Sequence, residues 1–533
     1  MKIWKLSIPF LALLVMTACY IDDTLPRNNP YDIQFDKTHP CQSNADCAKV
    51  GYCQAGTCVQ CRANADCRDS QICSAGKCEA CTQTEQCSDG LACIEGSCQT
   101  CKTSLDCGGS LVCRSNKCSP CESESPGTCI LSGTYTEDLQ LTADTKWILR
   151  GAVFIGDDVQ QVTLKIEPGT VIMGEGKTNG VLIVRRNAKI DAQGTAEKPI
   201  VFTSSNPQGS RKRGDWGGIV INGRARLNKC VQDSTKGCEG FGEGGTGWYG
   251  GTDDNDSSGT LKYVRVEFAG KLFSPDNELN GIAFQAVGSG TTIDYLQIHM
   301  AQDDGVEFFG GTANLSHVLI TGAADDSLDW TDGWRGKGQF IAIQQYDDDG
   351  DNGIEADNNS SDNAASPRSK PTLSHITLAG SPQSEKSDLG MLLREGTAAL
   401  IYNSIITGFN DACIMLDQVE TYNNAFKDGK LTGELLLSHS IINCTKNFSE
   451  TTETVPFTVA NFVTTLNEAN KLVDPKLTAP YNLTKPDLRP GSGSPALSGA
   501  KQFTDAFFQN VSYVGAIDPE KDWTKGWTTS DPN

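Results

Sequence analysis

Short apolar runs alternate with turn residues along the chain from about residue 130 to its C-terminal end. The runs are rich in Val, Ile and Leu, and Gly, Asn and Asp residues separate them. Helical periodicity is almost absent, so the pattern predicts many short strands joined by tight turns. The first runs are 147–149, 164–166, 181–184, 200–202 and 218–221.

A repeated triplet indicates that these strands belong to successive coils. It consists of a polar, a small and an aliphatic residue, and its aliphatic members lie 24, 22 and 26 residues apart. This spacing fits one coil of a parallel β-helix, whose Asn and Asp residues stack as a ladder along the coil edge. A β-sandwich built from hairpins would not repeat at coil length. The triplets begin at Asn280, Asp304, Asp326 and Asn352.

Eighteen of the 23 cysteines lie between Cys41 and Cys129 and recur with a period of 20. Each repeat, C-x5-C-x5-C-x4-C, has too few large apolar residues for a core, so we expect disulfides to replace one. Zinc is the alternative for the C-x2-C pairs, but this block contains no histidine. The pairing stays open, because four cysteines allow three connectivities.

The block resembles the cysteine-rich repeats of the Dickkopf N-terminal type found in many bacterial surface lipoproteins, on cysteine spacing alone. A stiff stalk is the simpler interpretation, and a protein-binding module is the other. Two further couples, Cys230 with Cys238 and Cys413 with Cys444, are expected to form disulfides within the β-helix. Such cysteine usage suits an oxidising compartment.

The N-terminal end is typical of an export signal. Two lysines precede an apolar stretch, 6–15, that is too short to span a bilayer. Residues 16–19, Met-Thr-Ala-Cys, resemble the lipobox of bacterial lipoproteins. The resemblance implies cleavage before Cys19 and lipidation of its thiol, and Tyr20 after it favours the outer membrane or cell surface. An ordinary signal peptide with an incidental cysteine is the alternative.

The predicted fold class is all-β, a parallel β-helix preceded by a small disulfide-rich region. The expected segments are a signal peptide over 1–18, a linker over 19–40, the cysteine repeats over 41–129, the β-helix over 130–516 and a tail over 517–533. The formal net charge of −21 and the pI near 4.7 exclude nucleic acid as a partner. The expected partners are the membrane, which the protein contacts through its lipid anchor, and a glycan or an envelope protein.

Several motifs resemble those of a family of secreted or lipid-anchored bacterial proteins with a pectin-lyase-like right-handed β-helix. They lie at 166–170, 214–219, 250–252, 261–267, 325–330, 353–358, 513–516 and 523–528. The resemblance spans nearly all of 140–528 and implies a right-handed β-helix. It implies no particular activity.

Residues 301–360 contain 13 acidic residues and only two basic ones. If the triplets are in register, Glu307, Asp329 and Glu355 point outwards from one face. Coils lie about 4.8 Å apart, where sheltered carboxylates repel each other by about 3 kcal/mol and need a cation. Solvated surface charge that keeps coil edges from pairing is the alternative.

The D-x-D-x-D spacing that starts at Asp347 is typical of loops that wrap oxygens around Ca²⁺. It is not an EF-hand, because Asn352 takes the position of the required Gly. The sequence therefore predicts a Ca²⁺ site and no organic cofactor. The predicted ligands are Asp326, Asp329, Asp347, Asp349, Asp351 and Glu355.

Aromatic residues also recur at the starts of strands. We expect a stacked polar ladder rather than a metal site, because successive members are often more than one coil apart by sequence spacing. The members are Tyr263, Tyr295, His317, His375 and His439. Near the C-terminal end, Phe503, Phe507 and Phe508 are predicted to cover the last coil.

Parallel β-helices host pectate lyases and polygalacturonases, but the usual polygalacturonase signatures are absent from this sequence. Asp326, Asp329, Arg335 and Arg394 fit the carboxylate and base roles of a lyase. We favour a non-catalytic cell-surface lipoprotein that binds glycan or another envelope component. A Ca²⁺-dependent lyase or hydrolase of acidic glycans is the first alternative, and a structural part of a surface assembly is the second.

Aromatic side chains are the expected sugar platforms of such a binding protein. Trp248, Tyr249, Trp330 and Trp334 are the candidates, and burial between coils fits them equally well.

Overall fold

The structure is a computed structural model that describes residues 41–533 except 46, 48–50, 56, 103, 109–110, 115–116, 123–127, 235–236 and 275–276. The export signal, Cys19 and the linker to residue 40 lie outside the described residues. The described residues divide into two compact units, 41–81 and 82–533.

Small antiparallel hairpins form the cysteine repeats. The first unit contains β1 (Tyr52–Gln54), β2 (Thr57–Val59), β3 (Ile72–Ser74) and β4 (Lys77–Glu79). The second unit begins with β5 (Ala92–Ile94), β6 (Ser97–Gln99), α1 (Ser104–Cys107), β7 (Leu111–Arg114) and β8 (Lys117–Pro120). The second unit therefore contains the third repeat after its first cysteine, Cys81, the whole fourth repeat and the β-helix.

The predicted disulfides of this block are confirmed, and the structure supplies the pairing. The first cysteine of a repeat joins the third, as in Cys41–Cys53, and the second joins the fourth, as in Cys47–Cys58. Further pairs of these two kinds are Cys61–Cys73, Cys67–Cys78, Cys87–Cys98 and Cys107–Cys118. Cys121 bonds to Cys129, which is buried in the first strand of the β-helix.

Twenty-five strands of the second unit form one continuous parallel arrangement, so the predicted parallel β-helix is confirmed. Its first half contains β9 (Thr128–Tyr135), β10 (Leu139–Leu141), β11 (Lys146–Ile155), β12 (Val162–Ile166), β13 (Val171–Gly174), β14 (Val181–Val184), β15 (Ala188–Gln193), β16 (Ile200–Ser204), β17 (Gly218–Asn222), β21 (Gly259–Glu267), β24 (Ile282–Gln285), β25 (Thr292–His299) and β26 (Val306–Phe309). Its second half contains β27 (Asn314–Thr321), β28 (Leu328–Thr331), β29 (Lys337–Gln344), β30 (Ile354–Ala356), β31 (Thr372–Ala379), β32 (Leu389–Leu393), β33 (Ala399–Tyr402), β34 (Ile405–Thr407), β35 (Ala412–Leu416), β38 (Leu435–Ser438), β39 (Ile441–Asn443) and β40 (Phe448–Ser449).

Insertions between coils account for most of the remaining elements. They are β18 (Gln232–Ser234), β19 (Gly237–Gly242), β20 (Gly247–Gly251), β22 (Lys271–Ser274), β23 (Asn277–Leu279), α2 (Val419–Ala425), β36 (Phe426–Lys427) and β37 (Lys430–Leu431). After the last coil come α3 (Val459–Asn461), β41 (Leu477–Ala479) and β42 (Asp487–Pro490). Cys230 bonds to Cys238 within the first insertion, and Cys413 bonds to Cys444 on the next coil.

The aliphatic members of the predicted triplets stack along the axis of the β-helix. Ile282, Val306, Leu328 and Ile354 pair in register on successive strands, and each is at most 1% exposed. The strands that carry them form one parallel sheet, which we call sheet A. It consists of the second half of β11 with β14, β17, β24, β26, β28, β30, β32, β35 and β40.

The predicted aromatic ladder occupies neighbouring coils at Tyr263, Tyr295 and His317, and it skips one coil before His375 and another before His439. The ring of Tyr295 stacks on Tyr263 and on His317, with 4.3 Å between ring centroids in each pair. Phe340, which the sequence pattern missed, fills the step between His317 and His375. All five residues have positive φ angles between 49° and 60°, so each marks the same sharp bend between two sheets.

Tyr295 tests whether stacking or backbone conformation dominates in this ladder. We expect Tyr295→Ala to lower the free energy of unfolding by about 2 kcal/mol, because two stacked neighbours are lost. Tyr295→Gly is expected to cost about 1 kcal/mol less, since glycine adopts the positive φ of 54° without strain. Urea denaturation of both variants measures the difference, and a glycine variant less stable than the alanine variant would contradict this account.

The predicted phenylalanine cap is wrong, because other residues close the last coil. Phe457 and Phe462, which flank α3, belong to the main core. Phe503 instead stacks on Phe508 and meets Tyr402 edge-on. The C-terminal segment returns along the outside of earlier coils, where its last residues contact Gln297 and His299 through the backbone oxygens of residues 529 and 531.

Candidate cation site

Sheet A presents a column of acidic side chains on its outer face. Glu307 pairs in register with Asp329, and Asp329 pairs with Glu355, on three neighbouring coils. Each follows a buried aliphatic residue, so its side chain points away from the core. Ala283 precedes this acidic column and Leu392 follows it. The three carboxylates therefore share one face, as the repeat predicts.

A second row of polar side chains lies in the turn before these strands. Asp304 Oδ1 accepts the backbone N–H of Asp326 at 3.1 Å, and Asp326 Oδ1 accepts that of Asn352 at 2.9 Å. Asn280 continues the row on the preceding coil, and its Nδ2 donates to Glu307. This row is the expected Asn/Asp ladder, and it adds two carboxylates to the acidic column.

Four of these carboxyl groups are almost completely buried. Asp304, Glu307, Asp326 and Asp329 are at most 9% exposed. Burial, and then the charges of neighbouring carboxylates, raise the pKa of each well above its ordinary value. At neutral pH, carboxyl groups buried this deeply either keep a proton or need a cation beside them.

Partly buried carboxylates form a rim beside the column and the row. Carboxylate oxygens of Glu278, Asp303 and Asp325 lie within 4.8 Å of one another. Burial, followed by the charge of Glu278, raises the pKa of Asp303 to about 8. The backbone N–H of Asp351 donates to the carbonyl of Asp325 at 3.2 Å, and burial raises the pKa of Asp351 to about 6. The rim therefore also holds protons more tightly than exposed carboxylates do.

Among the residues that the structure describes, one basic side chain forms ion pairs with this acidic cluster. Arg394 Nη2 contacts Glu355, and its Nε lies 3.0 Å from Asp357 Oδ1. Burial nevertheless raises the pKa of Glu355 to about 7. Among the described residues, the ion pairs of the cluster are those made by Arg394. One guanidinium group cannot neutralise the column, the row and the rim together.

Three buried oxygens in this region accept no hydrogen bond from any described residue. They are Asn280 Oδ1, Asp329 Oδ1 and Asn352 Oδ1, on three different coils. The side-chain amide nitrogens of Asn280 and Asn352 donate to Glu307 and Glu355, respectively. The orphaned oxygens of the same two amide groups therefore lie beside carboxylates. Such oxygens repel each other unless a cation or the proton of a carboxyl group lies between them. Carboxylate and amide oxygens are the ligands that Ca²⁺ prefers, so the residues present fit this ion.

Residues 133–479 match the family described as "Pectate-lyase like beta helix domain". This match covers more than half of the chain. The chain belongs to the pectate-lyase-like β-helix family. No curated protein matches the chain. No helix among the described residues is long and apolar enough to cross a membrane.

The pectate-lyase-like domain brings only part of the predicted Ca²⁺ ligand set together. Asp326, Asp329, Asp351 and Glu355 belong to the acidic cluster, whereas Asp347 accepts the hydroxyl of Ser381. Asp349 accepts the N–H of the next residue, Gly350, and its charge helps to raise the pKa of Asp325 after burial and Glu278. Spacing alone suggests one loop around an ion, but the structure gives the loop residues separate partners.

Sequence reasoning missed some members of the cluster. Asp303 reads as a turn residue, and no local pattern connects it or Glu278 with the acidic column, since their proximity depends on how the coils stack. The sequence does pick out Asp304, as a member of the ladder, and Arg394, in the role of a lyase base, but not as parts of one cluster. Arg335 does not belong to the site, because its Nη1 lies 3.0 Å from Asp254.

The proposed aromatic sugar platforms are mostly internal in this domain. Trp330 and Trp334 are fully buried in the core, so burial between coils is the correct interpretation for these two residues. Tyr249 is 6% exposed and is buried where the first insertion packs against Leu227 and Ala286. Trp248 is partly exposed and meets Phe241 edge-on.

Proposed function

We propose that this protein is a non-catalytic, lipid-anchored cell-surface protein that binds acidic glycans through a divalent cation, Ca²⁺ by preference, held on sheet A. The proposal includes attachment through Cys19 and a stalk made of the cysteine repeats. A glycan carboxylate would complete the ligand sphere of the ion at the partly exposed rim of Asp303 and Asp325. The ion requires six to eight oxygens, which the buried oxygens and the rim supply jointly with the glycan.

The observation that carries this proposal is the group of orphaned oxygens of Asn280, Asp329 and Asn352 among buried carboxylates. Surface charge without a ligand does not explain these oxygens. Solvated carboxylates are exposed and keep ordinary pKa values, whereas the carboxylates here are at most 9% exposed and have raised pKa values. A bound divalent cation would coordinate the orphaned oxygens and offset the repulsion between carboxylates on neighbouring coils.

Arg394 favours binding over elimination chemistry. A lyase needs a base that gives up its proton, but Asp357 and Glu355 raise the pKa of Arg394 further above its already high ordinary value. A guanidinium paired with two carboxylates stays protonated at any working pH. Arg394 therefore fits the role of a fixed positive charge beside the ion.

A retention assay tests the proposal. The native protein is passed over immobilised polygalacturonate, alginate and a neutral glucan, with CaCl₂ or with EDTA. We expect retention on an acidic polymer in CaCl₂, none in EDTA, and at least a tenfold weaker affinity for Asp329→Asn, because that variant removes one buried ligand. Asp348→Asn is the matched control, since Asp348 pairs with Arg213 on the surface and should bind like the native protein.

A Ca²⁺-dependent lyase or hydrolase is the second candidate, favoured by the raised pKa values of Asp303 and Glu355, about 8 and 7. Such values suit general acids near neutral pH. If the native protein produces new reducing ends or unsaturated products in the retained polymer, and Asp329→Asn does not, the protein is an enzyme and the non-catalytic proposal is wrong. Retention that is equal in EDTA would overturn the role of the cation.

A further inference from the structure

A separate polar cavity of about 250 Å³ lies between the β-helix and its first insertion. Asp158, Asn187 and Arg224 come from three turns that follow neighbouring strands of sheet A, and they form its floor. Glu239 of β19 and the two glycines that end β20 form the opposite wall. The cavity does not include any member of the acidic cluster.

The floor is fixed by hydrogen bonds that run from one turn to the next. Asn187 Nδ2 donates to the carbonyl of Asp158 at 2.7 Å, and Arg224 Nη1 donates to Asn187 Oδ1. In the wall, Arg186 Nη1 donates to Glu239 Oε1 and, at 3.4 Å, to the carbonyl of Gly250. These contacts hold both guanidinium groups against the cavity before any ligand binds.

Gly251 brings the backbone of the wall close to the floor. Its φ is 156°, and a Cβ there would lie 2.7 Å from the carbonyl oxygen of Arg224. A larger residue would push the insertion away from the coil. The cavity is therefore a built feature of the fold rather than a gap between loosely placed loops.

Both kinds of hydrogen-bonding group remain available in this cavity. Among the described residues, Arg224 uses only Nη1 in side-chain hydrogen bonds, and Arg186 also uses only Nη1. On the acceptor side, Asp158 Oδ1 is buried without a hydrogen-bond donor, since the nearest cationic atom, Arg186 Nε, lies 3.9 Å away. Asp253 Oδ2 likewise accepts no hydrogen bond from the described residues, whereas its Oδ1 accepts one from Asn255.

Charge decides between classes of ligand. Two arginines and three carboxylates line the cavity, so an anion meets three like charges and a cation meets two. A neutral molecule rich in hydroxyl groups meets neither penalty, because each hydroxyl donates to a carboxylate and accepts from a guanidinium. The volume is below the range of pockets for drug-sized ligands, so it suits one ring rather than a chain.

We propose that this cavity binds a single neutral pyranose residue of a glycan, independently of divalent cations. Arg224 and Arg186 donate to its ring and hydroxyl oxygens, and Asp158 and Asp253 accept from its hydroxyl groups. The site lies outside the acidic cluster and does not depend on the function proposed for that cluster.

Saturation-transfer NMR and calorimetry on the native chain in EDTA test this assignment. The probes are the methyl glycosides of glucose, galactose, mannose and N-acetylglucosamine, with sodium galacturonate and inorganic phosphate for comparison. We expect at least one neutral glycoside to bind, and Arg224→Met to weaken it at least tenfold with an unchanged Tm. Asp253→Ala, an exposed position, is expected to weaken it as well and decides the matter if Arg224→Met does not fold.

Arg226→Met is the matched control, because Arg226 is exposed in the same turn, pairs with Asp254 and does not line the cavity. It removes the same charge and should bind like the native protein. Absence of binding by every neutral glycoside, binding of galacturonate or phosphate alone, or an equal loss in Arg226→Met would each overturn the assignment. EDTA removes any cation from the acidic cluster. The measurement in EDTA therefore gives the same answer whether or not that cluster binds a cation and an acidic glycan.

Discussion

In EDTA, we expect the Tm of the protein to fall as the pH rises from 4 to 8, and CaCl₂ at pH 8 to restore it. The carboxyl groups of Asp351, Glu355 and Asp303 have folded-state pKa values of about 6, 7 and 8, above their ordinary values of 3.8 to 4.5. Over this window the folded state holds more protons than the unfolded state, so stability decreases with increasing pH. We expect a loss of at least about 3 kcal/mol, or about 3 °C in a protein of this size.

Asp329→Asn isolates the contribution of the acidic column. In EDTA at pH 8 this variant should melt at a higher temperature than the native protein, because it removes one buried charge between Glu307 and Glu355. It should also lose most of the rise in Tm caused by CaCl₂. Differential scanning calorimetry at pH 4, 6 and 8 measures both effects.

Asp348→Asn provides the control, since Arg213 lowers the pKa of Asp348 and the side chain is largely exposed. It should leave the response to CaCl₂ intact and cost a little stability at pH 8. A native Tm that is indifferent to EDTA at pH 8, or an Asp329→Asn variant that is less stable in EDTA, would contradict a cation-requiring column.

The sequence predicts those features of the fold that repeat along the chain. Ile282, Val306, Leu328 and Ile354 define coil length and the inward face, and register then places Glu307, Asp329 and Glu355 outside. These inferences work because each coil faces the same environment as its neighbours. The cysteine block is similar, since its period is visible although its pairing is not.

Features without a repeat escape such reasoning. Glu278 lies in a hairpin insertion, and Arg394 pairs with a glutamate 39 residues earlier. The return of the C-terminal segment over Gln297 depends on the outer surface of coils more than 200 residues away. No local pattern encodes these contacts, and they determine both the rim of the acidic cluster and the cover of the β-helix.

The largest effect of a single core substitution is expected for Trp334→Ala. The Trp334 ring is fully buried and stacks on Phe308 at 4.2 Å between centroids, and Phe308 in turn stacks on Phe284 at 5.0 Å. Its Nε1 donates to the carbonyl of Ala313 at 3.1 Å, so the variant leaves a cavity and an unpaired oxygen. The free energy of unfolding should fall by about 4–5 kcal/mol.

Trp248→Ala is the matched comparison, because Trp248 lies on an insertion, is partly exposed and meets Phe241 edge-on at 5.1 Å. Its loss should cost about 1 kcal/mol, since little cavity remains at the surface. Guanidinium chloride denaturation followed by far-UV circular dichroism reports both variants on the β-helix itself. Equal costs for the two tryptophans would show that the interior stack of aromatic rings does not hold the coils together, and the stability of the β-helix would then rest on its hydrogen-bonded ladders and aliphatic columns.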